Sequence, residues 1–553
     1  MVSEAVLSDP TLDATASDER LHPVDRFARA HDASQFSARS RQYRTLLPFA
    51  KPEAGQQYRF EVDLEACSGC KACVAACHQL NGLDDDEAWR DVGLLIGGST
   101  ELPVLQHVTT SCHHCLDPAC LNGCPVKAYE KDPITGIVAH LDDQCIGCQY
   151  CMLMCPYEAP KYNRQRGIVR KCDMCSDRLA VGEPPACVQA CPNDAIRIGL
   201  VSNRQVVEDS ESNSFLPGAE PSSTTLPTTI YHSSTPLPRN TLPAEQYSTT
   251  PNHAHLPLAI MLVLTQMSVG TFGVGLITEW LSPTAAGGTM VIAAGALIGV
   301  LSLAVSFFHL GRPFYAFRSI VGLRTSWLSR EILAFGLYVV GAMTSAAMCL
   351  MGRGDSDFWL FASLGVLLIG VAGVLSSVMV YHVTKRPFWT GLITGPRFLL
   401  TTGVLGLSTT LAVSIIHPAI NAGGQDVALG AIAYRPLCAG LLVSALAKLL
   451  IEAGLLTHLK DRRYTSLRRS AALMAGPLVG VTLKRFIFGT MGGVVVPLFV
   501  MFSALVTTGG EPDLAFLAVL GLLAVVMTLI GELMERYLFF VAVVAPKMPG
   551  GVG

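Results

Sequence analysis

Sixteen of the eighteen cysteines in this 553-residue chain fall between Cys67 and Cys191, in four quartets. Cys67, Cys70, Cys73 and Cys77 follow C-x2-C-x2-C-x3-C, and Cys145, Cys148, Cys151 and Cys155 repeat that spacing. Cys112, Cys115, Cys120 and Cys124 follow C-x2-C-x4-C-x3-C, while Cys172, Cys175, Cys187 and Cys191 carry a long central gap. Pro125, Pro156 and Pro192 each follow the last cysteine of a quartet. Around them, Phe60–Asp63, Gly136–Val138, Gly167–Val169 and Ala195–Ile198 read as short strands. Little else there is apolar, so residues 57–200 predict a small α+β domain that needs an internal staple.

Beyond residue 254 the chain changes character. Only 15% of its residues are charged, against roughly 25% in an ordinary soluble domain. Mean hydropathy is +0.41. The apolar residues gather in eight segments, at about 255–279, 286–309, 329–351, 357–382, 397–417, 430–455, 486–508 and 514–536. Each is long enough to cross a hydrocarbon core of about 30 Å. Residues 254–553 therefore predict an all-α membrane bundle. Residues 1–56 read as a polar leader or a partner-wrapping arm with no export signal. Residues 201–253, rich in Ser, Thr and Pro, read as a flexible linker.

The loops orient the bundle. Those after the second, fourth and sixth segments carry fourteen basic residues: Arg312, Arg318, Arg324, Arg330, Lys385, Arg386, Arg397, Lys460, Arg462, Arg463, Arg468, Arg469, Lys484 and Arg485. The opposite loops carry Arg353 alone among basic residues, with Glu279, Asp355, Asp357, Asp426, Glu511 and Asp513. The positive-inside rule then places the cysteine-rich head and both termini in the cytoplasm. The net charge of −3, with no strongly basic domain, argues against a nucleic-acid partner.

A reduced compartment argues against disulfides. Zinc accepts paired C-x-x-C but gives no reason for a third cysteine two residues further on. Iron–sulfur cubanes do: three thiolates of one loop grip three irons, and the fourth cysteine ligates the other cluster of a pair. Four quartets predict four 4Fe-4S clusters with no open iron, hence electron carriers. Nested pairing joins Cys112, Cys115 and Cys120 with Cys155, and Cys145, Cys148 and Cys151 with Cys124. It joins Cys67, Cys70 and Cys73 with Cys191, and Cys172, Cys175 and Cys187 with Cys77. Lys161, Arg170 and Lys171 lie near these loops. Cys349 and Cys438 read as small core residues.

An electron chain ending in a membrane points to a quinone. His309 closes the second apolar segment and Glu331 opens the third, both at the level of the head. A histidine and a carboxylate placed so can exchange the two protons of a quinol. Tyr381, His382, Lys385, Arg386 and Trp389 mark the same level and read as an interfacial belt. Glu452 is a further candidate proton carrier, and Glu532, Glu535 and Arg536 share a helix face. A bis-histidine haem would need a pair such as His309 and His382, and haem is not expected. Neither a nucleotide loop nor a catalytic triad is readable, which implies a separate catalytic partner.

The stretches CSGCKACVAAC, CHHCLDPACLNGCP, CIGCQYCMLMCPYEAPKY and KCDMCSDRLAVGEPPACVQACP resemble the four-cluster electron-transfer subunit of the dimethyl sulfoxide reductase class of molybdoenzymes. HLGRPFYAFRSIVGLRTSWLSREI, RPFW and GELMERYLF resemble that class's eight-helix quinol-binding anchor, of the NrfD and polysulfide reductase type. The resemblance implies a ferredoxin-like head with the outer cluster pair facing a catalytic subunit that holds the molybdenum cofactor. It implies four cubanes, since Cys148 stands where related nitrate reductases have tryptophan. It assigns His309 and Glu331 to a quinone or menaquinone site, and it implies an anchor without haem. The two subunits are normally separate chains. A head facing inward departs from the namesake complex and points to the sulfite dehydrogenase branch. The alternative is a redox-driven proton-translocating subunit of an energy-converting complex.

Overall fold

The computed structural model describes residues 44–549 apart from 214, 282–286, 355, 422–426 and 507–513. Residues 1–43, and with them most of the leader, lie outside the described residues, as do Asp355, Asp426, Glu511 and Asp513.

The head contains β1 (Gln56–Asp63), β2 (Asp91–Gly98), β3 (Pro103–Thr110), β4 (Tyr129–Lys131), β5 (Val138–His140), β6 (Lys161–Asn163), β7 (Ile168–Arg170) and β8 (Ile196–Ser202). In β1, Tyr58, Phe60 and Val62 alternate inward, while Arg59 and Glu61 turn outward and pair at 2.7 Å. β1 runs antiparallel to β8, with Phe60 opposite Ile198. β2 with β3, β4 with β5 and β6 with β7 form three further antiparallel pairs. Short helices such as Ala72–Asn81 lie between them, so the head is a mixed α+β domain.

The segment read as a flexible linker is instead folded onto the head. It holds a helix at Asn203–Glu211, β9 (Ile230–His232) and β10 (Leu242–Pro243). β9 adds a parallel strand to β1, and β10 an antiparallel strand to β2. Leu116 N donates to Leu226 O at 2.8 Å, and Thr228 Oγ1 to His113 O at 2.7 Å. Leu216 and Tyr231 of this stretch pack into an apolar cluster of the head. The backbone groups of the stretch are satisfied by sheet edges and loops of the head, which composition does not reveal.

Among the described residues, eight helices are long and apolar enough to cross a membrane. They are α1 (Leu256–Leu281), α2 (Gly287–Ser306), α3 (Trp327–Leu350), α4 (Asp357–His382), α5 (Gly391–Asn421), α6 (Val427–Leu455), α7 and α8 (Leu514–Val541). α7 comprises Val479–Thr490, a π turn at Met491–Val495 and Val496–Val506. Close backbone approach through small residues holds the bundle. A Cβ on Gly270 of α1 would stand 1.9 Å from Thr402 O of α5.

Between α2 and α3 the chain makes 3-10 turns over Pro313–Gly322, exposing Phe314 and Phe317. This crossing grips the head by its backbone. Arg312 N donates to Ile146 O at 3.0 Å and Gly322 N to Pro125 O at 2.8 Å. Arg312 Nη1 reaches Asp142 O at 2.8 Å, Arg318 Nη1 reaches Asp143 O at 2.9 Å, and Ser326 Oγ reaches Gly123 O at 2.7 Å. A Cβ on Gly311 would lie 2.0 Å from Gly167 O, so only glycine permits the contact. Gly311→Val is expected to unseat the head from the bundle. Limited proteolysis should cut the 203–253 strap faster, while the iron content of the head stays unchanged.

Candidate functional site

The four cysteine loops share a backbone device. Gly69, His114, Gly147 and Met174, each just before the second cysteine of its quartet, all have positive φ, between 42° and 73°. Such a turn folds the loop around a centre, aiming thiols and N–H groups inward. Gly147 N donates to Cys145 Sγ at 3.4 Å and Met174 N to Cys172 Sγ at 3.3 Å. Ala128 N and Ala195 N donate to Cys124 Sγ and Cys191 Sγ at 3.2 and 3.3 Å.

The thiols gather in crossed sets. Burial pushes the Cys67 thiol up, and Cys73, Cys191 and Cys70 add to it. Burial and then Cys187 and Cys175 push Cys77 up to about 12. Burial raises Cys120, with Cys155, Cys112 and Cys115 as its thiol neighbours. Burial raises Cys151, beside Cys148, Cys124 and Cys145. Cys77 also raises Cys172, so the thiol neighbours in each case are three cysteines of one quartet and the last of another. Among the described residues no three His, Cys, Asp or Glu side chains close on a point suited to one metal ion. Cys112, Cys115, Cys120 and Cys155 instead line one cavity together. Four crowded, buried thiols cannot all ionise without positive charge between them, and a metal centre supplies that charge.

Two buried cations stand among the sets. Arg90, which belongs to none of the motifs above, lies over the Phe60 ring at 4.7 Å and donates to Thr109 Oγ1 at 3.0 Å. Burial works against its charge, but Cys187, Cys73, Cys172 and Cys77 hold it firmly protonated. Lys171 is likewise opposed by burial and raised by Cys112, Cys120 and Cys172, so it bridges a middle set and an outer one. Of the other two basic residues noted near the loops, Arg170 pairs with Glu87 at 3.2 Å and Lys161 with Glu158 at 3.8 Å.

His309 and Glu331 share a cleft of about 1020 Å³, counted to its mouth, where the bundle meets the head. Its walls include Leu258, Met261, Leu303 and Phe335, and also Cys148 and Tyr150 of a cysteine loop. His309 Nε2 lies 3.2 Å from Cys148 O. A carbonyl only accepts, so Nε2 carries the hydrogen and Nδ1 is left as the acceptor. Glu331 is buried and accepts from Ser377 Oγ. Tyr150 OH donates to Val380 O at 2.9 Å, pinning the loop to α4.

Several residues stand elsewhere than the sequence suggested. Tyr381 and Trp389 are no interfacial belt: both are buried, their rings 5.1 Å apart, and Tyr381 lines the cleft. Trp389 Nε1 donates to Phe539 O at 2.9 Å. His382 accepts from Gly391 N at 3.1 Å. His255 lines the cleft edge-on to His309, ring centroids 5.7 Å apart. Nothing local marks it out, since it stands at the very start of the first apolar segment, although HAHLPLAIML sets two histidines at the head-side entry to the membrane.

Arg397 and Arg485, counted among the loop cations, are buried inside α5 and α7. Each sits six residues in from its helix start, about 9 Å. Arg397 Nη2 pairs with Glu535 at 2.5 Å. Arg485 grips Glu452 through Nε at 2.7 Å and Nη2 at 2.9 Å, and reaches Glu532 at 3.0 Å. Lys448 meets Glu532 at 2.7 Å, and Arg536 Nη2 meets Gln266 Oε1 at 2.9 Å. Glu452 is therefore one member of an ion network joining α5, α6, α7 and α8. Glu532 and Glu535 find their closest cations on other helices. The loop asymmetry keeps its sign without the two arginines, and the head sits at the basic end.

Comparison with known proteins follows the two halves. Residues 251–541 match the family described as DMSO reductase anchor subunit (DmsC), and residues 104–201 match a 4Fe-4S dicluster domain. The head is 39% identical over 153 residues to the B subunit of the anaerobic dimethyl sulfoxide reductase of Escherichia coli K12, covering 26% of this protein and 74% of that one. It is 39% identical over 155 residues to the thiosulfate reductase electron transfer subunit PhsB of Salmonella typhi, covering 27% and 79%. The hydrogenase-2 operon protein HybA of Escherichia coli O157:H7 is 33% identical over 184 residues, covering 29% and 56%.

The ion network yields a stability test. Arg485→Met leaves the buried carboxylates of Glu452 and Glu532 to share Lys448, and is expected to cost about 3–5 kcal/mol, read as a lowered Tm in detergent. Arg485→Lys should recover only part, because it loses the forked contact.

Proposed function

Because the chain belongs to the DMSO reductase anchor family, joined here to an iron–sulfur electron-transfer domain, we propose that it carries electrons between a membrane quinone and a cytoplasmic molybdopterin-dependent catalytic subunit. It would do so through four 4Fe-4S clusters. The observation that carries the reading is the contact between His309 and Cys148 O, 3.2 Å apart. The wall of the cleft and the loop of a cluster are one piece of chain.

When bound, the clusters supply one-electron transfer. Cys67, Cys70, Cys73 and Cys191, and Cys172, Cys175, Cys187 and Cys77, would hold the outer pair. Cys112, Cys115, Cys120 and Cys155, and Cys145, Cys148, Cys151 and Cys124, would hold the middle pair beside the membrane. Cys70 is exposed, which suits an outer cluster that meets a partner. Arg90 and Lys171 offset thiolate charge where the sets adjoin and favour the reduced state.

In the cleft, the apolar walls bind the quinone ring and exclude water. His309 Nδ1 accepts a hydrogen bond from a quinol hydroxyl and orients the ring. Glu331, buried beside Ser377, takes or returns a proton. Electrons run in the direction the partner's reaction sets, and the partner also decides the substrate, sulfite or an S- or N-oxide among them. The basic loops place the head in the cytoplasm.

The purified protein should hold about sixteen iron atoms, and reduced-minus-oxidised EPR should show 4Fe-4S signals with no three-iron species. About four irons would refute the assignment. His309→Leu and Glu331→Gln should each slow electron entry from a quinol analogue by about a hundredfold. Cluster spectra should not change. Unaltered exchange in both variants would move the quinone site elsewhere.

A further inference from the structure

We propose that His255 and His253 form the route by which a quinol proton leaves the cleft for the water on the head side. The proposal rests on the quinone reading of the cleft. Oxidising a quinol breaks two O–H bonds, sends two electrons singly into the iron–sulfur chain and frees two protons. Glu331 takes one first. Both must in the end leave by a way out that the apolar walls do not provide.

Two polar groups at the Cys148 loop are already used. The Cys148 carbonyl binds His309 Nε2, and the Tyr150 hydroxyl is committed to Val380 O. His255 lines the same cleft from another side. Its ring stands edge-on to His309, with centroids 5.7 Å apart, and the His253 ring follows at 5.4 Å. The side chain of His253 is exposed, whereas that of His255 is half-buried. Two imidazoles thus step from the cleft wall to the surface, at spacings that one water bridges.

The surroundings keep His255 neutral between transfers. Burial first, then His309, His253 and Arg386, lower its proton affinity to about 4. Its own carbonyl accepts from Ala259 N at 2.9 Å, so the ring also sits at the positive end of α1. From α8, Phe540 packs against it at 5.9 Å. A neutral imidazole takes a proton on one nitrogen and gives one up from the other, so it passes protons without holding charge. Quinone reduction would run the route inward.

The test uses the full chain with its clusters and a short-chain quinol. His255→Phe keeps the ring but cannot carry a proton. Cluster reduction by bleaching and proton release by a pH dye should both slow about tenfold or more. Binding of a non-reacting quinol analogue, read by fluorescence quenching, should not change. Imidazole in the buffer should restore both rates. His253→Gln should slow release only about twofold, since water can substitute at the surface. A wild-type rate in His255→Phe overturns the route. So does a slow rate with weakened analogue binding and no rescue, which would mark a structural role. Should His255→Phe fail to assemble, His255→Gln is read against the same outcomes. If His309→Leu and Glu331→Gln keep wild-type electron entry, the quinone reading falls and the route with it. If they lose it while His255→Phe does not, the route alone falls.

Discussion

The bundle holds the head by carbonyl oxygens that the cysteine loops cannot satisfy themselves. A loop bent through a left-handed residue points its N–H groups at its centre and its carbonyls outward. In this protein those outward carbonyls meet donors from the membrane half. Ile146 O takes Arg312 N, Pro125 O takes Gly322 N, and Cys148 O takes the His309 ring. Removing the crossing between α2 and α3 would leave these buried acceptors unpaired. The same bonds set the depth of the cleft, because the loop they hold is its wall.

This bonding ties the two halves to one geometry. Gly147, Gly167 and Gly311 pack without side chains, so loop and crossing approach at backbone distance. Tyr381 extends the arrangement sideways: it lines the cleft and stacks edge-on with Phe539, with centroids 4.9 Å apart. Arg536 in turn lies 3.8 Å from the centre of the Phe398 ring. The ion network of α5 to α8 therefore abuts the aromatic packing behind the cleft, stiffening the helices that form its back.

Much of this was legible in the sequence, for a physical reason. Cysteine spacing is a local property, set by loop length, and apolar run length is local too. The quartets, four of the eight head strands and eight long helices are directly legible, whereas β4, β6 and the β2–β3 hairpin are not. Much of the rest that escapes depends on partners far along the chain. Arg397 and Arg485 look like loop cations until Glu535 and Glu452 are seen facing them. Residues 203–243 look like a tether until the edges of β1 and β2 are seen to be free. His255 looks like an ordinary residue ahead of a helix until the α2 end brings His309 to it.

The folded strap also bears on how strong the contact between the halves has to be. Two separate subunits must find each other and pay the full entropy of association. Here β9 and β10 bind the strap to the head, and Asn252 N binds it to Val541 O at 3.0 Å beside the bundle. The docking face is thus presented at a high effective concentration and in nearly the right orientation. The seam of carbonyls and glycines is thereby held at close range within one chain. Every head is matched to one bundle.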